Sequence, residues 1–205
     1  MLSIILSRRD IKEYDQMIHL YSEEKGKMEL YARGVKKIIS KNTAHLEPFS
    51  VVLVDIAHGK EINYITRVQN VDYMPAIRKD LHKSMCAYYV VSLLDILLQS
   101  DEYDRRLFHG LYSWLMYVET VEHISLIYVD AFVIFLLYCL GFAISESSTL
   151  PASYYSTIIL MESAQWSEIK ELSHTDYIRF HSYIIGFLRY HTEKSCTDWT
   201  KTCIV

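Results

Sequence analysis

The sequence predicts an α+β protein in which strands come first and helices follow. Three observations carry this. Apolar residues alternate with period two over short runs up to about residue 75, and from residue 76 they recur at helical spacing. Only three prolines and six glycines occur in 205 residues, too few for long linkers. The predicted organisation is therefore a β domain over residues 1–75 and a helical bundle over residues 76–205.

Five strands are expected. LSIILS (2–7) is a short apolar run, and DQMIHLYS (15–22) follows a charged turn. SEEKGK supplies a hairpin connection with Gly26. KMELYAR (27–33) alternates: Met28, Leu30 and Ala32 face one way, Glu29, Tyr31 and Arg33 the other. PFSVVLVDI (48–56) is β-branched, with Pro48 at its start where a missing donor is tolerated. INYITRVQN (62–70) closes the series. Five short strands in some seventy residues suit a small barrel of the OB type, because closure removes the edges they would otherwise expose.

The helices follow in order. The first carries Leu81, Met85, Tyr88, Tyr89, Leu93, Ile96 and Leu97 near helical spacing, and the second has a stripe of Leu107, Leu111, Leu115 and Val118. Residues 122–142 are expected to form the most apolar helix, with Ile127, Ala131, Ile134, Tyr138 and Phe142 on one side. Pro151 is expected to open the next helix, and HTDYIRFHSYIIGFLRYHT forms the last, with Ser173 or Thr175 as its cap. The run from Ile124 to Ile144 is interrupted by Asp130 and reads as a buried central helix rather than a membrane span.

Charge and motif content exclude several function classes. The net charge is −4, so the molecule as a whole carries no polyanion-binding signature. The charge is uneven: residues 1–75 hold 11 Lys/Arg against 10 Asp/Glu, residues 76–205 hold 10 against 15. There is no phosphate-binding glycine loop, no H-E-x-x-H, no G-x-S-x-G and no pair of histidines four residues apart. Catalysis, a cofactor and a metal are accordingly not expected. Cys86 and Cys139 sit in apolar surroundings, and Cys196 and Cys203 lack the C-x-x-C spacing of zinc ligands. The opening residues place apolar residues before arginines, the wrong order for a secretory leader, and a reducing cytoplasmic compartment is expected.

One stretch stands out. Residues 25–41 hold six bases, Lys25, Lys27, Arg33, Lys36, Lys37 and Lys41, against Glu29 alone. On an OB-type barrel, basic loops beside an open strand face make a groove for nucleic acid, in which cations follow phosphates and rings stack on bases. The candidate DNA contacts are Arg8, Arg9, Lys27, Tyr31, Arg33, Lys36, Lys37 and Lys41. The competing reading is that the lysines only solvate a loop.

These residues also carry a family resemblance. Glu13-Tyr14-Asp15, Gly26-Lys27, ARGVKKIISK, HLEPFSVVLVDIAHGK and ITRVQNVD resemble, in order and spacing, the N-terminal domain of the bacterial recombination mediator family RecO. FHGLYSWLMYVE and DAFVIFLLYCLGFAI are similar to its central helices. The resemblance implies an OB domain followed by helices, binding of single- and double-stranded DNA, and annealing of complementary strands. It implies work with RecR and the single-stranded-DNA-binding protein to help load RecA, without catalysis and in association with the bacterial nucleoid. By that likeness Arg33, Lys36, Lys37 and Lys41 become DNA contacts. Many relatives carry a four-cysteine zinc module after the Leu-Gly turn; GFAISESSTLPASYYSTIILMES has no cysteine, so zinc is not expected. An apolar groove near Trp114, Phe132, Phe135 and Phe187 is a candidate seat for the tail of the single-stranded-DNA-binding protein, although each of these aromatics reads first as a core residue. The rival functions are a protein-binding adaptor whose barrel takes no DNA, and a membrane-associated protein anchored through residues 124–144.

Overall fold

The computed structural model describes residues 1–37, 45–192 and 196–203. Strands β1 (Leu2–Asp10), β2 (Gln16–Ser22), β3 (Gly26–Ala32), β4 (Val51–His58) and β5 (Asn63–Asp72) form a closed barrel in the order β1-β2-β3-β5-β4. Every neighbouring pair is antiparallel except β3 and β5, which run parallel and meet at Tyr31 and Tyr64. This is the five-stranded OB architecture that the strand spacing predicts. The inward residues, among them Ile18, Leu20, Leu30, Val52 and Val54, make one core with almost no solvent exposure.

An irregularity in β1 between Ile5 and Ser7 sets which later residues face in. Ile5 pairs with inward Leu20, the chain then takes up one extra residue, and Ser7 pairs with outward His19. From there Arg8 shares the inward face of Ile18, and Arg9 shares the outward face of Met17.

The helices are α1 (Pro75–Lys79), α2 (Leu81–Leu97), α3 (Arg105–Thr120), α4 (Ile127–Cys139), α5 (Tyr155–Glu162), α6 (His174–Thr192) and α7 (Trp199–Thr202). The chain divides into two compact units. One comprises Met1–Pro75 with Val91–Tyr112, the other Ala76–Val90 with Ser113–Val205. By contacts the division departs from a single boundary at residue 75 in one respect: residues 91–112, although helical in part, group with the barrel. The reason lies in polar anchors such as Asp95, which accepts from Ser7 and Lys27 of the barrel.

Three helical expectations also change. The helix expected over residues 122–142 is shorter. It starts at Ile127 and ends where Phe142 donates back to the Leu137 carbonyl at 2.8 Å, a capping turn at Gly141. It is buried on all sides from Ile127 to Leu137, so no single stripe defines it. Thirteen residues span about 20 Å, short of a bilayer core, and among the described residues no helix is long and apolar enough to cross a membrane. In α2 the expected stripe holds in part: Tyr89, Leu93 and Leu97 are buried, but Leu81, Tyr88 and Ile96 are exposed and Cys86, Ala87, Val90 and Leu94 complete the buried face. Pro151 precedes a single 3-10 turn, Ala152–Tyr154, before α5 begins.

Candidate nucleic-acid interface

The outer face of the barrel carries two rows that differ in accessibility. In the first, Ser7, His19 and Glu29 are neighbours across β1, β2 and β3. Most of this row is closed by Asp95, which accepts from Ser7 Oγ at 2.6 Å and meets His19 Nδ1 at 2.8 Å. The Asp95 carboxyl is partly buried, which works against its charge. Hydrogen bonds from His19, Ser7 and Lys27 outweigh that and hold it well below the usual carboxylate range.

Lys27 belongs to this closed region, and its assignment as a DNA contact is corrected. The side chain is buried; its ammonium is 3.0 Å from Asp95 Oδ1 and donates to the carbonyls of Asp95 and Leu98. A cation so satisfied has no donor left for a phosphate.

The second row is open. Arg9 pairs with Met17, Met17 with Tyr31, and Tyr31 with Tyr64. The two tyrosine rings stand edge to face with centroids 5.6 Å apart, and Tyr64 is 38% exposed. Arg33, in the turn directly after β3, is exposed and interacts electrostatically with the Tyr31 phenol. The Tyr14-Asp15 turn between β1 and β2 fixes the flank of this row. Asp15 accepts from the Tyr31 hydroxyl at 2.5 Å and from Gly34 N at 2.6 Å, and Lys36 N donates to the Tyr14 carbonyl at 3.1 Å. The Tyr31 hydrogen bond and the Gly34 amide hold the Asp15 carboxyl below its ordinary range, and the same bond raises the Tyr31 phenol. Lys37 lies 5.8 Å from the centre of the Tyr14 ring. Among the described residues no carboxylate is ion-paired with Arg9, Arg33 or Lys37.

Arg8 and Lys36 do not join that row. Arg8 faces the barrel mouth and pairs with Glu47 at 2.6 Å; Lys36 pairs with Asp10 at 2.5 Å. The eight expected contacts thus divide. Arg9, Tyr31, Arg33 and Lys37 flank one open surface, Arg8 and Lys36 are held by acids, and Lys27 is internal. Lys41 lies outside the described residues. Tyr64, Met17 and Tyr14 were not anticipated. Tyr64 gives no local signal because its neighbour in the row is 33 residues away and is reached only through the parallel β3–β5 pairing.

In the second unit Trp114, Phe132 and Phe135 are core side chains, exposed by 2% or less, which agrees with their first reading as core and leaves no groove at those positions. Phe187 instead lines a separate cleft of 530 Å³ with Tyr183, Gly186 and Tyr190. Among the described residues no group of three histidines, cysteines or carboxylates is arranged to hold a metal.

The strand order and the open basic, aromatic face define an OB-barrel protein whose barrel is followed along the chain by helices. Comparison with known proteins then narrows the class. The family model "Recombination protein O N terminal" matches residues 3–74, and "Recombination protein O C terminal" matches residues 78–150. The chain belongs to the RecO family. It is similar to proteins named DNA repair protein RecO from Syntrophomonas wolfei (30% identical, covering 60% of this chain and 46% of the relative) and Desulforamulus reducens (32%, 55% and 44%). A third, from Roseiflexus sp., is 28% identical over 68% of this chain and 49% of its own length. The chain spans about half the length of the curated relatives it matches.

Proposed function

We propose that this chain is a DNA-repair mediator that binds single-stranded DNA along the outer row Arg9, Met17, Tyr31 and Tyr64, with Arg33 and Lys37 at its flank. The carrying observation is that row: two tyrosines and an arginine in register on the open strands of an OB barrel, with cations that pair with no acid among the described residues. Phosphates would follow Arg9, Arg33 and Lys37, and bases would stack on Tyr64 and Tyr31. Neutralising two backbones at one surface lowers their mutual repulsion, which favours annealing of complementary strands and accommodates double-stranded DNA. No bond is made or broken. RecR, the single-stranded-DNA-binding protein and, indirectly, RecA are the partners this role calls for; the cleft beside Phe187 is the seat we assign to the tail of the single-stranded-DNA-binding protein. A bacterial cytoplasmic, nucleoid-associated site of action goes with the role.

Titration of a labelled oligothymidylate at several salt concentrations tests the DNA reading. The triple charge reversal Arg9→Glu, Arg33→Glu, Lys37→Glu is expected to flatten the plot of log affinity against log salt by about 2, roughly 0.7 for each phosphate no longer neutralised. Tyr64→Ala is expected to weaken binding about 5- to 150-fold, the range for removing one base stack, and to leave the salt slope unchanged. Tyr64 is the cleaner probe because Tyr31 also holds Asp15. Absence of binding by the unaltered protein at low salt rejects this reading in favour of a protein-binding adaptor.

A further inference from the structure

We propose that Asp10 and Glu47 occupy two phosphate positions within the protein itself, holding Lys36 and Arg8 in ion pairs and thereby limiting how tightly the barrel takes a strand. This inference rests on the DNA-binding reading above and adds a regulatory element beside that surface.

The arrangement is a cleft of 590 Å³ at one end of the barrel, lined by Arg8, Asp10, Gln16, Lys36 and Glu47. Two cations and two carboxylates are matched one to one, Arg8 with Glu47 at 2.6 Å and Lys36 with Asp10 at 2.5 Å. Gln16 Nε2 donates to the other oxygen of Asp10 at 2.8 Å and keeps that carboxylate aimed at Lys36. The hydrogen bonds of Lys36 and Gln16 hold the Asp10 carboxyl below its ordinary range, so it is ionised at neutral pH.

Position makes the cleft relevant to the open row. Arg8 and Arg9 branch to opposite faces of the end of β1, and Lys36 precedes Lys37, so the backbone of each held cation is about 3.8 Å from that of one flanking the proposed strand. Exposure makes the pairs exchangeable. Arg8 and Lys36 side chains are 32% and 37% exposed, and ion pairs in such a setting are weak. Carboxylate and phosphate oxygens compete for the same guanidinium and ammonium donors, so a phosphate can replace either acid without leaving a buried charge behind. While the acids stay in place, Arg8 and Lys36 contribute no net charge to the surface.

The test is the double variant Asp10→Asn, Glu47→Gln, titrated with the labelled oligothymidylate. Both side chains keep an acceptor oxygen, so Gln16 retains its partner. The variant should bind more tightly at low salt, with a slope steeper by about 1.4, two phosphates at roughly 0.7 each. Between about 200 and about 50 mM salt that is about 7-fold more affinity gained than by the unaltered protein. Two controls separate released cations from a general change of field. Glu13→Gln removes one charge from the adjacent exposed turn, where Glu13 has no ion pair among the described residues, and should give much less gain than Asp10→Asn alone. The gain from Asp10→Asn should vanish when Lys36 is already alanine, and that from Glu47→Gln when Arg8 is alanine. A gain that survives those backgrounds, or that Glu13→Gln reproduces, overturns the proposal. Binding by the unaltered protein with no gain in the variant also overturns it and leaves the DNA reading standing. Failure of both proteins to bind at low salt overturns the two together.

Discussion

Replacing His181 with alanine is expected to destabilise the second unit by about 3–5 kcal/mol, the range for removing one partner of a buried ion pair. His181 lies between two carboxylates. Its Nδ1 is 2.9 Å from Asp130 Oδ1 and its Nε2 is 3.0 Å from Asp198 Oδ1. Asp130 is fully buried in α4, Asp198 caps α7 by accepting from Thr200 N, and the imidazole joins them from α6. Trp199 meets the imidazole edge to face at 4.7 Å, and Tyr177 stacks on it at 5.8 Å. Without the imidazole, the Asp130 carboxylate stays in an apolar helix with no cation. The paired replacement Asp130→Leu, His181→Leu should recover much of the loss, because it removes the charge along with its partner. Urea unfolding of the two variants checks both statements.

The same cluster has a pH signature. Burial disfavours the imidazolium, but the hydrogen bonds and charges of Asp130 and Asp198 outweigh it and raise the His181 pKa above its ordinary 6.5. Burial raises the Asp130 carboxyl as well, against the pull of His181. The folded state therefore holds more protons than the unfolded chain at these two sites, and stability falls as pH rises. For His181 the contribution is complete below about 6.5 and is lost as pH climbs through its raised value. Asp198 acts in the opposite sense. Burial raises its carboxyl, but hydrogen bonds from Thr200 and His181 prevail and lower it, so its contribution is complete above about 3.8 and is lost in acid. Tyr89 and Tyr177, which face the cluster, are driven upward by burial and stay neutral in this range. Thermal unfolding from about pH 5 to about pH 8.5 should show the melting temperature declining at the alkaline end, and the Asp130→Leu, His181→Leu protein should have lost that decline.

Gly26→Ala is the second large effect, expected to cost the barrel unit at least about 2 kcal/mol. Gly26 has φ +68°, where an L side chain is strained, and a Cβ there would lie 2.0 Å from the Glu102 carbonyl oxygen and 2.9 Å from Tyr103 Cα. Those obstacles are backbone and cannot rotate away. Residues 101–104 are pinned to the barrel: Asp101 N donates to the Lys27 carbonyl at 2.9 Å, and Asp104 N donates to the Tyr21 hydroxyl at 3.0 Å. Gly34 provides the comparison. Its φ is +64°, but a Cβ would meet nothing closer than Lys37 Cδ at 3.6 Å, so Gly34→Ala should cost only the conformational strain, about 1–2 kcal/mol. If the two alanine variants unfold at the same urea concentration, the close approach at Gly26 carries no energy and the account of this docking is wrong.

Local patterns were enough to read the barrel. KMELYAR alternates cleanly in the sequence, and its inward residues Met28, Leu30 and Ala32 are core residues of the barrel. Helices were legible wherever an apolar period was long, and misread where that period was saturated: a segment apolar at nearly every position, such as residues 127–137, has no periodic face from which to infer its ends. The charged residues were legible only as a cluster. Lys27 looks like any other base beside a hairpin, and it becomes an internal cation because Asp95, 68 residues later in the chain, is brought over it.

By itself the sequence determined the order of elements, the OB barrel, the place of the basic stretch and the resemblance to RecO. Each rests on relations between near neighbours or on motifs in linear order. The tertiary structure alone decided which cations remain available, which are held by acids and which are buried, and it alone set Tyr64 beside Tyr31. The physical reason is range. A backbone period is set within a few residues, whereas an ion pair or a ring contact needs atoms within a few ångströms, and barrel closure supplies those from positions tens of residues apart.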